Sequence, residues 1–156
     1  MTYKVAALYR FVPVADVDTH VAALKALSDT YDICGTLLIA PEGINGTIAS
    51  SNGGCDAALD YLEQNFEIFK GEVKFSEASE QPFLRYKVRP KKEIVTLRQP
   101  QADPTKQVGT YVEPEDWNNL IADPDVLLID TRNDYETKIG IFDGAVDPKI
   151  KVFTEF

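Results

Sequence analysis

Apolar and polar positions along this chain repeat with two different periods, and the order in which those periods follow one another predicts the fold. Lys4 to Val12 reads as a first strand. From Val17 to Leu27 the apolar residues Val17, Val21, Leu24 and Leu27 fall at helical intervals behind Asp16, a residue suited to cap a helix N-terminus. Ile33 to Ala40 is a β-rich apolar run, and Thr47 to Ser50 reads as its antiparallel partner across the Pro, Gly and Asn-Gly punctuation between them. A second helix is expected from about Asp56 to Phe66, with Ala58, Leu59, Leu62 and Phe66 on one face and Lys70-Gly71 as its stop. Glu72 to Phe75 and Leu84 to Val88 then supply strand material. The resulting order, β-α-β-β-α-β, is that of an α+β ferredoxin-like domain, placed at residues 1–92.

From Pro90 to Gln107 sustained apolar spacing stops and Pro, Gln and Lys dominate, so residues 93–108 are expected to form a linker. Beyond it the pattern restarts. Gly109 to Val112 reads as a short strand and Pro114 to Ala122 as a helix carrying Trp117, Leu120 and Ile121. Val126 to Ile129 reads as a continuous apolar strand of the doubly buried parallel kind, and Asn133 to Ile139 as the next helix. Residues 109–156 thus look like the opening of an α/β sheet, but the roughly 45 residues available fall short of the 100 or so that a complete α/β domain needs. Apolar faces left open in such a part predict self-association.

Composition narrows the class. With 44% hydrophobic and 26% charged residues, the chain can bury a core, which excludes disorder, collagen and coiled coil. Its apolar runs are far shorter than the roughly 20 residues that span a bilayer, and its start lacks the basic-then-apolar pattern of a secretory signal. A cytoplasmic location with no membrane partner is expected. The net charge of −9 would on average repel polyanions, but the charge is unevenly distributed. Arg85 to Arg98 holds six basic residues against Glu93 alone, whereas Glu113 to Asp147 holds ten acids against Arg132 and Lys138.

Three constellations could carry chemistry. In the stretch from Gly35 to Thr47, the text Pro41-Glu42-Gly43-Ile44-Asn45-Gly46 is expected to be a six-residue connection in which Gly43 and Gly46 supply positive φ. Exposed amides there, with Glu42 and Asn45, could instead meet a ligand or a neighbouring domain. Asp130, Arg132 and Glu136 follow the expected buried strand, where ligands of open α/β sheets gather. The plain alternative is that Asp130 caps the next helix, Arg132 pairs with it and Glu136 is a solvated first-turn acid. Finally, strand alternation puts Arg85, Lys87 and Arg89 on one face, extended by Lys91 and Lys92. That is either an ordinary solvated face or a phosphate-backbone contact with Tyr86 nearby for stacking.

Thiol and metal chemistry find no support here. Cys34 lies in an apolar strand and Cys55 at a helix start, neither beside a base that would ionise it, and both read as packing thiols. Neither cysteine has a second Cys or His at metal-ligand spacing, and the only histidine, His20, stands beside an apolar helical stripe, so a zinc site of N and S ligands is not expected. No complete catalytic set is present.

Three segments together carry a family resemblance: CGTLLIAPEGINGTIAS, the basic RYKVRPKKEIVTL, and IDTRNDYETKIGIFDGAVDP. The chain resembles, over essentially its whole length, the rhodanese-domain tRNA uridine hydroxylases. The resemblance implies an acylphosphatase-like ferredoxin fold followed by the opening part of a rhodanese domain. It also implies oxygen-dependent hydroxylation of the tRNA wobble uridine to 5-hydroxyuridine, with tRNA as partner, molecular oxygen as co-substrate and no metal, flavin or haem. In that family the essential cysteine sits in a C-T-G-G-I-R-C-type loop, which nothing up to Phe156 matches, so no catalytic residue is assigned and this chain alone is expected to be inactive. By position, Asp130, Arg132 and Glu136 match the opening rhodanese motif, where they would brace the active-site loop, and Glu42 and Asn45 match the N-terminal loop. After Tyr9-Arg10 the turn reads Phe11-Val12-Pro13-Val14, without the glycine-rich phosphate loop of acylphosphatases, which disfavours acyl phosphate hydrolysis. Rhodanese-type sulfur transfer and a non-catalytic interaction module are the alternatives.

Overall fold

Strand β1 (Tyr3–Phe11) sits inside the sheet because both of its faces find apolar partners: Ala6 and Leu8 enter the main core, while Tyr3 and Val5 join a smaller cluster with Cys34 and Ala49 on the opposite face. Helix α1 (Val17–Ala26) begins at Asp16, whose carboxylate accepts hydrogen bonds from the Thr19 amide at 3.3 Å and the Thr19 hydroxyl at 2.7 Å. These bonds hold the Asp16 carboxyl below the usual carboxylate range. Strands β2 (Ile33–Ala40) and β3 (Gly43–Ser50), helix α2 (Gly54–Phe66), and strands β4 (Lys74–Ala78) and β5 (Tyr86–Pro90) complete this part. The structure, a computed structural model, describes residues 1–99, 101, 106–107 and 109–156, in two units built on Met1–Val95 and on Gln107–Phe156.

The sheet order is β4-β1-β3-β2-β5. Neighbours among its first four strands are antiparallel, and β5 adds to the β2 edge in parallel. Val21 and Leu24 of α1 share one core with Ala58, Leu59, Leu62 and Phe66 of α2 and with Leu8, Leu37, Ile44 and Ile48, so both helices cover the same face. This is an α+β ferredoxin-like sheet with one extra edge strand. Burial of each such large side chain favours folding by about 1.5–3 kcal/mol.

Several boundaries differ from the sequence expectation. Strand β3 starts at Gly43 rather than Thr47, because Gly43 to Gly46 already pair with β1 and β2, leaving only Pro41-Glu42 as the turn. Helix α2 stops at Phe66, with Glu67 in the left-handed conformation (φ 54°), before Lys70-Gly71 is reached. The fourth ferredoxin strand is Lys74–Ala78 alone, and the Leu84 to Val88 text forms the fifth strand, shifted to Tyr86–Pro90. Part of the expected linker belongs to the first unit: Ile94 is buried, and its amide donates to the Glu42 carboxylate at 2.7 Å. The linker positions at 100, 102–105 and 108 lie outside the described residues.

The second unit is sparser than expected. Helix α3 (Pro114–Ile121) has Pro114 in its first turn with Glu115 and Asp116, as helix N-termini favour. No strand forms over 109–112. Val126 to Ile129 makes a single parallel bridge, Ile129 to Val146, and Leu127 is 70% exposed. A doubly buried parallel strand needs a paired neighbour on each edge, and Val146 is the one partner among the described residues. Helix α4 (Asp134–Thr137) is one turn where Asn133 to Ile139 was expected; Ile139 is 88% exposed, so continuing the helix to it gains little burial.

Candidate nucleic-acid interface

Strand β5 divides its residues as alternation requires. Val88 is buried beneath α1, and the Tyr86 hydroxyl donates to the Leu24 carbonyl at 3.0 Å, with burial raising its pKa. Tyr86 is therefore a core residue and unavailable for stacking, contrary to the sequence expectation. Lys87 and Arg89 emerge on the opposite face. The ladder continues at both ends through Gly35 N–H to Arg85 O (2.9 Å) and Lys91 N–H to Ile39 O (2.7 Å), which puts Arg85 and Lys91 on that same face. Arg85, Lys87, Arg89, Lys91 and Lys92 are all exposed, and none of them pairs with a carboxylate among the described residues.

The expected PEGING loop is instead a tight hairpin. Pro41 and Glu42 turn the chain, and Val12 N–H and Val14 N–H donate to the Glu42 and Pro41 carbonyls at 3.0 and 2.8 Å. Gly43 has φ 147° and lies against the Arg10 carbonyl, so glycine is required there. Gly46 does not have positive φ; it is glycine because a Cβ would overlap the Thr36 carbonyl oxygen. The amides expected to meet a ligand are thus engaged by the sheet and the turn. Glu42 is half-buried and anchors Ile94, while Asn45 stands within β3, level with Tyr9 on β1 and Leu38 on β2.

In the second unit, Arg132 forks onto Asp130, with Nη2 to Oδ2 at 2.6 Å and Nε to Oδ1 at 2.9 Å, and also donates to the Gly140 carbonyl at 2.7 Å. Hydrogen bonding to Arg132 lowers the Asp130 pKa and raises that of Arg132. Asp130 is not a helix cap; Asn133 takes that position, and its amide donates to the Glu136 carboxylate at 3.2 Å. Glu136 therefore closes the helix turn and does not join the fork. Beside the fork lies a cavity of 560 Å³ lined by Trp117, Leu128, Asp130, Arg132 and Phe142.

Both thiols are packed away. Burial raises the pKa of Cys34, and it pushes Cys55 up to about 11, with the neighbouring Asp56 charge adding to the effect. The Cys34 and Cys55 sulfurs lie 3.6 and 3.2 Å from the Ala49 and Lys4 carbonyl oxygens. His20 is likewise satisfied: Nδ1 lies 2.8 Å from the Tyr61 hydroxyl and its ring packs on Phe66. Against an ordinary thiol of pKa 9.0, a value near 11 leaves about a hundredfold less thiolate near neutrality. Ellman's reagent is accordingly expected to react slowly with the native chain and to titrate both thiols only in denaturant. A rapid native phase would show that one of them is activated.

Residues 3–94 match the family described as the UPF0176 acylphosphatase-like domain. The chain belongs to the UPF0176 family. Among curated relatives, the tRNA uridine(34) hydroxylase of Rhizobium etli is 56% identical over 154 residues, covering 99% of this chain and 50% of that protein. The proteins of the same name from Agrobacterium fabrum (52% identical, 99% and 49% covered) and Nitrobacter hamburgensis (53%, 98% and 62%) also match. This UPF0176 chain thus spans about half the length of the first of these relatives. Among the described residues, no helix is long and apolar enough to cross a membrane.

For this UPF0176 sheet, three residues of interest escaped sequence reasoning. Tyr9 is 53% exposed on β1, Phe11 lies two residues along with its ring 6.4 Å from that of Tyr9, and Lys74 stands level with Ala7 on β4. The signal was present as Tyr9 and Phe11 alternating with the core residue Leu8, but assigning them to the helix-free face required the helix positions.

Proposed function

We propose that this chain is the RNA-holding part of an enzyme that hydroxylates uridine 34 of tRNA to 5-hydroxyuridine, with molecular oxygen as co-substrate and no resident metal, flavin or haem. The carrying observation is the strip of exposed cations at Arg85, Lys87, Arg89, Lys91 and Lys92, which have no acidic partner among the described residues of a chain of net charge −9. Such a strip contacts phosphates and steers a polyanion onto one edge of an otherwise repelling molecule. The relatives' name supports tRNA as the polyanion. In this reading the second unit is rhodanese-like, Asp130, Arg132 and Glu136 brace its active-site loop, and the reactive sulfur is neither Cys34 nor Cys55. An enzyme acting on tRNA belongs in the cytoplasm.

The test is tRNA binding by a variant with alanine at all five cations. Its affinity is expected to fall at least tenfold, and the slope of log affinity against log salt to become shallower by about 3.5–4.5, as the loss of all five phosphate contacts dictates. Unchanged affinity and slope would overturn the reading.

A further inference from the structure

The sheet face that carries neither α1 nor α2 has an unusual charge pattern. Strand registers place Tyr9, Asn45, Leu38 and Arg89 in one row across β1, β3, β2 and β5, and Lys74, Ala7, Thr47, Thr36 and Lys87 in the next. Glu77 is the one acidic residue in the five strands, and it pairs with Lys4, which reaches Asp56 of α2 on the other face. The helix-free face therefore has no carboxylate in any strand, although acids outnumber bases in the chain by nine. Small side chains at Ala7, Thr36 and Thr47 form a shallow floor, with Lys74 at one edge and Lys87 and Arg89 at the other.

On this floor two kinds of group suit a nucleic acid. Tyr9 presents an exposed ring steadied by the edge-on ring of Phe11, and a few strand spacings away stand the exposed cations of β5. Asn45, half-buried on the strand between, carries a side-chain amide. A groove of 440 Å³ opens on the same face, lined by Thr36, Phe83, Leu84, Arg85 and Lys87, with Leu84 96% exposed. Duplex RNA hides its base faces, so an aromatic ring set in a flat sheet can stack only on unpaired bases.

We infer that this face binds unpaired nucleotides, with bases stacked on Tyr9 and Phe11 and the connecting phosphates held by Lys87 and Arg89; the inference rests on the RNA reading above. Asn45 is placed to meet a base edge. The strip of cations then does more than attract tRNA: it delivers a single-stranded loop, rather than a stem, onto the sheet.

The test measures binding of the full chain to an oligouridine of about 12 nucleotides and to an RNA duplex of equal length by fluorescence anisotropy. The single strand is expected to bind more tightly. Tyr9→Ala should weaken it by about 5- to 100-fold with the salt slope kept, while Tyr9→Phe, which retains the ring, binds as the parent does. Lys87→Ala with Arg89→Ala should instead flatten the salt slope by about 1.5. Photocrosslinking of 4-thiouridine RNA to the unsubstituted chain gives a readout independent of any variant's folding, and the adduct is expected on Tyr9 or Phe11. Preference for the duplex, an unchanged Tyr9→Ala variant, or adducts confined to α1 and α2 would overturn this inference and leave the RNA reading standing. Binding of neither RNA would overturn both.

Discussion

Gly43→Ala is expected to destabilise the first unit by about 4 kcal/mol, from roughly 1–3 kcal/mol of backbone strain and roughly 1–3 kcal/mol of overpacking. Its φ of 147° is one that side-chain-bearing residues rarely adopt. An added methyl would overlap the Arg10 carbonyl oxygen and stand 3.0 Å from the Phe11 Cα, both parts of the neighbouring interior strand β1. Neither obstacle can move without parting β1 from β3. At about 4–8 °C per kcal/mol for a unit of this size, the far-UV transition should fall by roughly 15–30 °C. Gly71→Ala, whose added methyl meets nothing within 4 Å, is the control and should shift stability by less than about 0.5 kcal/mol. Equal stability of the two variants would show that the hairpin does not approach β1 as closely as described. Because Tyr9 and Phe11 stand on that same stretch of β1, a residue tolerated at 43 only by moving the strand would also disturb the proposed stacking platform.

The first unit was readable in sequence wherever periodicity and burial agree. Val17, Val21 and Leu24 fixed α1, and Ala58, Leu59, Leu62 and Phe66 fixed α2, because a helix that covers a sheet must show its stripe in the text. The hairpin was misjudged for a physical reason: Gly43, Asn45 and Gly46 have the composition of a loop, yet glycine also serves inside strands where backbones crowd, and only the register distinguishes the two uses. Tyr86 was misjudged differently. Alternation put it opposite Arg85 and Lys87, but that its hydroxyl would find the Leu24 carbonyl depends on α1 crossing β5.

In the second unit local text overstated the structure. Val126 to Ile129 has strand composition, and composition cannot supply the neighbouring strands that a ladder requires. The fork between Asp130 and Arg132 formed even so, since two residues of separation let the guanidinium reach back to the carboxylate without help from distant parts of the fold. Short-range electrostatics was therefore legible where long-range pairing was not. The functional surface follows the same rule: the cations of β5 stand out as a charge cluster, while their juxtaposition with Tyr9 spans some 80 residues of sequence and exists only through the order β1-β3-β2-β5.

Phe66→Ala is the second substitution expected to act strongly, costing about 3–5 kcal/mol. Phe66 is fully buried at the last turn of α2, with the His20 ring 4.8 Å from its own, and its removal leaves a cavity that α1, held by Asp16 at one end and by Tyr86 through Leu24 at the other, cannot collapse to fill. The one tryptophan, Trp117, belongs to the second unit, so the transition is followed by far-UV circular dichroism rather than tryptophan emission. A drop of roughly 12–40 °C is expected. Below its own transition the variant should bind RNA as the parent does, because Phe66 lies on the far side of the sheet from Lys87 and Arg89. Tyr9→Ala should show the converse, near-parental stability with weakened single-strand binding, since its ring is half in solvent and contributes little burial. Weakened binding by fully folded Phe66→Ala would place the RNA surface on the helical side; a cost under 1 kcal/mol would mean that α2 does not close the core.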